Sequence, residues 1–124
     1  MTNTKVQSIL IVDDEEIIRD LLAEVLEDYD VNLACDGQEA IDRLKKRKYD
    51  LVITDLRMPN ISGEEVVRFA RESYPDQQVI VISAYSSLHT VSQSITNGAC
   101  AFLSKPFSIK ELMQTVEDAL QGAA

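Results

Sequence analysis

The feature that most constrains this chain is the alternation of two hydrophobic periods along its length. Short, nearly continuous apolar runs stand at Ile9–Val12, Leu51–Ile53 and Val79–Ile82, with weaker ones at Val31–Leu33 and Ala101–Leu103. Runs this short and this rich in Val and Ile suit strands covered on both faces. Between them lie longer stretches with helical spacing. The clearest is Ile17, Ile18, Leu21, Leu22, Val25 and Leu26, a broad apolar stripe on one helix. Asp36, Ser62 and Ser108 each stand three residues before a Glu and mark helix starts. Gly98 and Gly122 stand where helices should end, and Pro59, Pro75 and Pro106 fall in connections. The pattern reads βαβαβαβαβα, which argues for a parallel sheet with helices on both faces and right-handed crossovers.

The 124 residues fit one domain spanning 1–124, with a structured core expected over about 6–121. No repeat, linker or low-complexity stretch divides them. No apolar run is long enough to cross a bilayer, and the first residues lack a signal-peptide core, so a cytoplasmic protein without membrane attachment is expected. The formal net charge of −9 would be repelled by a phosphate backbone, which disfavours direct nucleic-acid binding. Cys35 and Cys100 form neither a CxxC motif nor a zinc pattern with the lone His89. They are expected as small, partly buried apolar residues, and His89 on the surface of a helix.

In a doubly wound sheet, ligands bind beyond the carboxyl ends of the strands, near the point where strand order reverses. Strand 1 ends in Asp13-Asp14, strand 3 in Asp55, strand 4 in Ser83 and strand 5 in Lys105. Taken singly, Asp13 and Asp14 read equally well as caps of the first helix, Asp55 as a turn residue, Ser83 as a loop hydroxyl and Lys105 as a surface charge. Their joint placement at four strand ends is what points to one site. Three converging carboxylates repel one another unless a cation joins them. A hard, oxygen-bound ion with few protein ligands suits Mg²⁺. Such an ion beside a carboxylate, a lysine and a hydroxyl is an arrangement for phosphoryl transfer, with Asp55 attacking in line.

Four segments then stand out together: Ile9-Leu10-Ile11-Val12-Asp13-Asp14-Glu15, Leu51-Val52-Ile53-Thr54-Asp55-Leu56-Arg57-Met58-Pro59, Val81-Ile82-Ser83-Ala84 and Phe102-Leu103-Ser104-Lys105-Pro106-Phe107. In order and at family spacing, they strongly resemble the receiver domains of response regulators. The resemblance implies a five-stranded (βα)5 sheet in the flavodoxin-like order 2-1-3-4-5. It also implies that Asp55 is the phosphoacceptor, fed by a sensor histidine kinase or a histidine phosphotransfer protein. Asp14 would bind Mg²⁺ directly and Asp13 through water, with the backbone carbonyl of Arg57 as a further ligand. Lys105 would pair with the phosphoryl group, the Lys105–Pro106 bond would be cis, and Gly63 would relax the loop after Asp55. Ser83 and Phe102 would form a switch pair acting on Val91–Asn97 and Ser108–Val116, a face through which a homodimer would form. Arg57 and Tyr85, two places after Asp55 and Ser83, would flank the path of the hydrolytic water and lengthen the life of the phosphorylated form.

Rival readings of the same fold fit less well. An FMN carrier needs a Ser/Thr/Gly-rich phosphate loop after strand 1, where this chain has Asp13-Asp14-Glu15-Glu16. A haloacid-dehalogenase-type phosphatase would place an Asp-x-Asp nucleophile at strand 1. A P-loop is absent, which argues against direct use of ATP. The domain would act only on itself, as a phosphoacceptor rather than an enzyme with a separate substrate pool.

Overall fold

The computed structural model describes residues 6–122, so residues 1–5 and 123–124 of the expected domain lie outside the described residues. Its elements follow the expected alternation: β1 Ser8–Val12, α1 Glu16–Val25, β2 Asp30–Ala34, α2 Gly37–Lys46, β3 Leu51–Asp55, α3 Gly63–Ser73, β4 Gln78–Ser83, α4 Leu88–Thr96, β5 Ala101–Ser104 and α5 Ile109–Gly122. The strands pair in parallel in the order β2-β1-β3-β4-β5. Strand order therefore reverses between β1 and β3, whose carboxyl ends carry Asp13 and Asp55.

The central strands are buried on both faces, and their side chains sort by type. Ile9, Ile11, Ile53, Ile80 and Ile82 face one helical layer, formed by Leu22 and Leu26 near α1 and by Leu112, Val116 and Leu120 of α5. Leu10, Val12, Val52, Val79 and Val81 face the other, formed by Ala40 and Leu44 of α2 and Val66, Val67 and Ala70 of α3. Each such side chain withdrawn from water contributes about 1.5–3 kcal/mol, so the sheet is the stiff part of the molecule. That stiffness matters because β1 and β3 aim the carboxylates that follow them.

Helix starts are built as the spacing requires. Asp36 and Ser62 accept from the amides of Glu39 and Glu65, and Ser108 and Glu111 satisfy each other's backbone N–H reciprocally. Helix α4 adds a cap the sequence reading did not single out, with Ser87 accepting from the Thr90 amide. Asp13 and Asp14 do not cap α1, whose N-cap position is Glu15 without a side-chain bond. Two expectations need correction. The α1 stripe is wider than the core needs: Leu22 and Leu26 are buried, but Ile17 is 81% exposed and Leu21 lies at the surface. Cys35 and Cys100 are both exposed, because each sits just outside a strand at the edge of the sheet. Gly122 is the last residue of α5. His89 is exposed on α4, as expected, and all three prolines lie in connections.

Gly98 closes α4 in a left-handed turn at φ +117°. Its amide donates to the Ile95 carbonyl, and that of Ala99 donates to Ser94. A Cβ there would also meet the Arg71 side chain at 2.8 Å. Gly98→Ala should lower the urea-unfolding free energy by about 1–2 kcal/mol, the usual cost of a side chain in this conformation. An unchanged midpoint would contradict that reading.

Candidate functional site: an acidic cluster closed by Lys105

Parallel pairing sets β1 and β3 side by side, with Val12 opposite Thr54, so the residues that follow emerge next to one another. Asp13 is 2% exposed and Asp55 is 6% exposed, both at the carboxyl edge of the sheet. The backbone holds them there from several directions. The Asp13 amide donates to the Ala34 carbonyl, and Arg19 of α1 donates to the Asp13 carbonyl at 2.8 Å. The Thr54 hydroxyl donates to the Asp55 carbonyl at 2.9 Å, and the Asp55 carboxylate accepts from the Arg57 amide at 3.4 Å.

Lys105 arrives from the end of β5. Its amide donates to the Ser83 carbonyl at 2.9 Å, which ties the last residues of β4 and β5 together. Its Nζ lies 3.2 Å from Asp13, 3.2 Å from Glu15 and 3.3 Å from Asp55. One ammonium thus faces three carboxylates. Burial alone would lower the lysine pKa, but the Asp13 and Asp55 charges outweigh it and push the value up. For Asp13 the balance runs the other way. Burial raises its pKa, and the Glu15 amide and the Lys105 charge only partly offset that rise, while Asp55 adds to it. The cluster is short of positive charge.

That shortage fits a cation. Oxygen atoms of Asp13, Glu15 and Asp55 lie within 4.8 Å of one another, and the donor set contains only oxygen, which suits a hard ion such as Mg²⁺. Asp14, expected as a direct ligand, is exposed and is not one of these three residues. Glu15, which the sequence pattern did not single out, is the third carboxylate of this cluster. The signal for it was its position two residues after Asp13, whose carboxylate accepts from the Glu15 amide.

The other expected residues surround this cluster. Ser83 is fully buried and its Oγ accepts from the Tyr85 amide at 3.0 Å. Phe102 pairs with Val81 across β4 and β5, and is half-buried against the core on the α2–α3 side. The Arg57 guanidinium stacks on the Tyr85 ring, 4.2 Å from its centroid. The Lys105–Pro106 bond is cis.

A doubly wound parallel sheet whose switch point carries two buried aspartates and a lysine defines a class of small α/β modules with an oxyanion- or cation-handling edge. Comparison with known proteins narrows the class to one family. The model of the response regulator receiver domain matches residues 9–117. Response regulator protein PilR of Pseudomonas aeruginosa is 38% identical over 117 residues, covering 93% of this chain and 26% of PilR. Transcriptional regulatory protein TrcR of Mycobacterium tuberculosis is 34% identical over 118 residues, covering 94% of this chain and 46% of TrcR. A CheY-like receiver domain protein from Methanospirillum hungatei JF-1 superposes with a TM-score of 0.91 at 27% identity, covering 96% of this chain and 97% of the other. The chain belongs to the response regulator receiver domain family, the phosphoacceptor modules of two-component signalling. It spans about a quarter of the length of PilR and under half of TrcR.

Because burial makes the Asp13 charge costly without a cation, Asp13→Asn should raise the melting temperature of the metal-free protein. It should also remove most of the further rise expected of the wild type in millimolar Mg²⁺. Thermal scans with and without Mg²⁺ check both, and a lower metal-free melting temperature would contradict the charge balance described.

Proposed function

We propose that Asp55 accepts a phosphoryl group from a sensor histidine kinase or a histidine phosphotransfer protein, in a reaction that requires Mg²⁺. The observation that carries this reading is the meeting of Asp55, Asp13 and Lys105 at the switch point of the sheet. A carboxylate oxygen of Asp55 would attack phosphorus in line. The bond from phosphorus to the donor imidazole breaks, and the imidazole leaves with the electron pair. Lys105 is placed to neutralise charge on the phosphoryl oxygens. Ser83 accepts its hydrogen bond from Tyr85, so its own O–H remains available to a phosphoryl oxygen.

Asp13, Asp14 and Asp55, with the backbone carbonyl of Arg57, would hold Mg²⁺, with Asp14 at the exposed rim. When bound, the ion supplies charge neutralisation and polarises the phosphoryl group. The domain would catalyse only its own phosphorylation and dephosphorylation, and its output would be a shift between two conformations through Ser83 and Phe102. The exposed Leu88 and Ile95 of α4 and Ile109 and Met113 of α5 favour this face for a homodimer or an output partner. Among the described residues, no helix is long and apolar enough to cross a membrane.

The stacked Arg57–Tyr85 pair bears on the lifetime of the phosphorylated form. The Arg57 guanidinium offers only N–H donors, and a ring held under it is a poor guide for an attacking water. A comparatively long-lived phosphoaspartate is expected.

Incubation with acetyl phosphate and Mg²⁺ should add one phosphoryl group per chain by mass spectrometry, and Asp55→Asn should take none. A label that persists in Asp55→Asn would reject the assignment. Decay of the wild-type label should quicken about tenfold in the Arg57→Asn, Tyr85→Glu double variant, equivalent to about 1.4 kcal/mol of barrier. Equal decay rates would show that the stacked pair does not set the lifetime.

A further inference from the structure

Two glycines open α2 and α3, and neither has a positive φ, so backbone freedom is not what they provide. Both are buried, and both make room for the connection from β3 to α3, residues 56–62, which follows Asp55 and contains Arg57. At Gly63 a Cβ would fall on the Asp55 carbonyl oxygen and lie 2.7 Å from the Leu56 Cα, while the Gly63 amide donates to the Leu56 carbonyl at 2.9 Å. At Gly37 a Cβ would lie 2.6 Å from the Ile61 carbonyl oxygen, 2.7 Å from its Cγ2 and 2.8 Å from its Cβ. The connection is thus pressed against α2 near its far end and against α3 at Asp55 itself. Between these points, Asn60 turns the chain in a left-handed conformation at φ 67°, which asparagine tolerates better than most residues.

We infer that Gly37, on a different helix and outside the acidic cluster, is a positioning residue for the phosphoacceptor loop. By carrying no Cβ, it lets Ile61 seat against α2. The seated Ile61 fixes the loop that sets the Asp55 turn and the Arg57 carbonyl. A methyl group at Gly37 meets backbone as well as side chain, so a rotamer change at Ile61 does not relieve it. The loop has to move, and its other end is the backbone of Asp55. This inference rests on the assignment of Asp55 as phosphoacceptor and adds a positioning group to that site.

The test compares the intact chain with Gly37→Ala, Ile61→Ala and Gly98→Ala. Two quantities are read: the amide resonances of residues 55–62 in metal-free protein, and the Mg²⁺ concentration that half-saturates labelling by acetyl phosphate. Gly37→Ala should shift those resonances and raise the half-saturating Mg²⁺ roughly tenfold, the usual effect of disturbing groups that orient metal ligands. Ile61→Ala, which removes the other side of the contact, should move both in the same sense but less. Gly98→Ala loses stability at the opposite edge of the sheet and should leave both at wild-type values. If Gly37→Ala does not fold, Ile61→Ala decides alone. Wild-type resonances and Mg²⁺ dependence in the deciding variant, or equal changes in Gly98→Ala, would overturn the inference. A wild type that takes no label would instead defeat the assignment of Asp55, and the metal-free resonances would still decide the role of Gly37.

Discussion

The ammonium of Lys105 lies 3.2–3.3 Å from Asp13, Glu15 and Asp55, and most of the molecule can be understood as the means of bringing these groups together. Two buried aspartates side by side would repel each other, and one lysine covers only part of their charge. Removing Lys105 from such a buried arrangement leaves its carboxylates uncompensated, which is why these contacts are demanding rather than simply stabilising. The raised pKa of Asp13 is the sign of that residual deficit. A site left short of positive charge is suited to a divalent ion and then to a reaction in which charge moves between oxygens.

The sheet makes this arrangement repeatable. Parallel strands buried on both faces give β1 and β3 little freedom, so Asp13 and Asp55 leave the core at fixed points. Lys105 depends on a longer chain of constraints, through β5, its pairing with β4 and the bond from its amide to Ser83. The loop between β3 and α3 is held differently, by close approach to two glycine-opened helices rather than by a ladder of hydrogen bonds. The site therefore joins a rigid half, built on strands, to a half whose position is set by packing against α2 and α3. Ser83 ends β4 and its carbonyl accepts from the Lys105 amide, and the half-buried Phe102 lies on the adjacent strand.

Much of this was legible in the sequence, for identifiable reasons. Buried parallel strands read as apolar runs, so the strand ends and the polar residues after them could be located, and Asp13, Asp55, Ser83 and Lys105 followed. The same reasoning did not name Glu15, because its direction depends on how the backbone turns between β1 and α1. Helical periodicity named the inward face of α1 but not its width, which left Ile17 and Leu21 unaccounted for. The cysteines were misplaced because average burial says little about positions just outside a strand. The contact of Gly37 with Ile61 joins two separate connections and leaves no mark on local pattern.

The central claim is that Lys105 and a cation share the same carboxylates. Calorimetric titration of Mg²⁺ into the wild type and Lys105→Met tests it directly. Binding at one site in both, and tighter by about tenfold in the variant, is predicted, since relieving about 1.4 kcal/mol of repulsion between ammonium and metal gives that factor. Equal or weaker Mg²⁺ binding in folded Lys105→Met would contradict it.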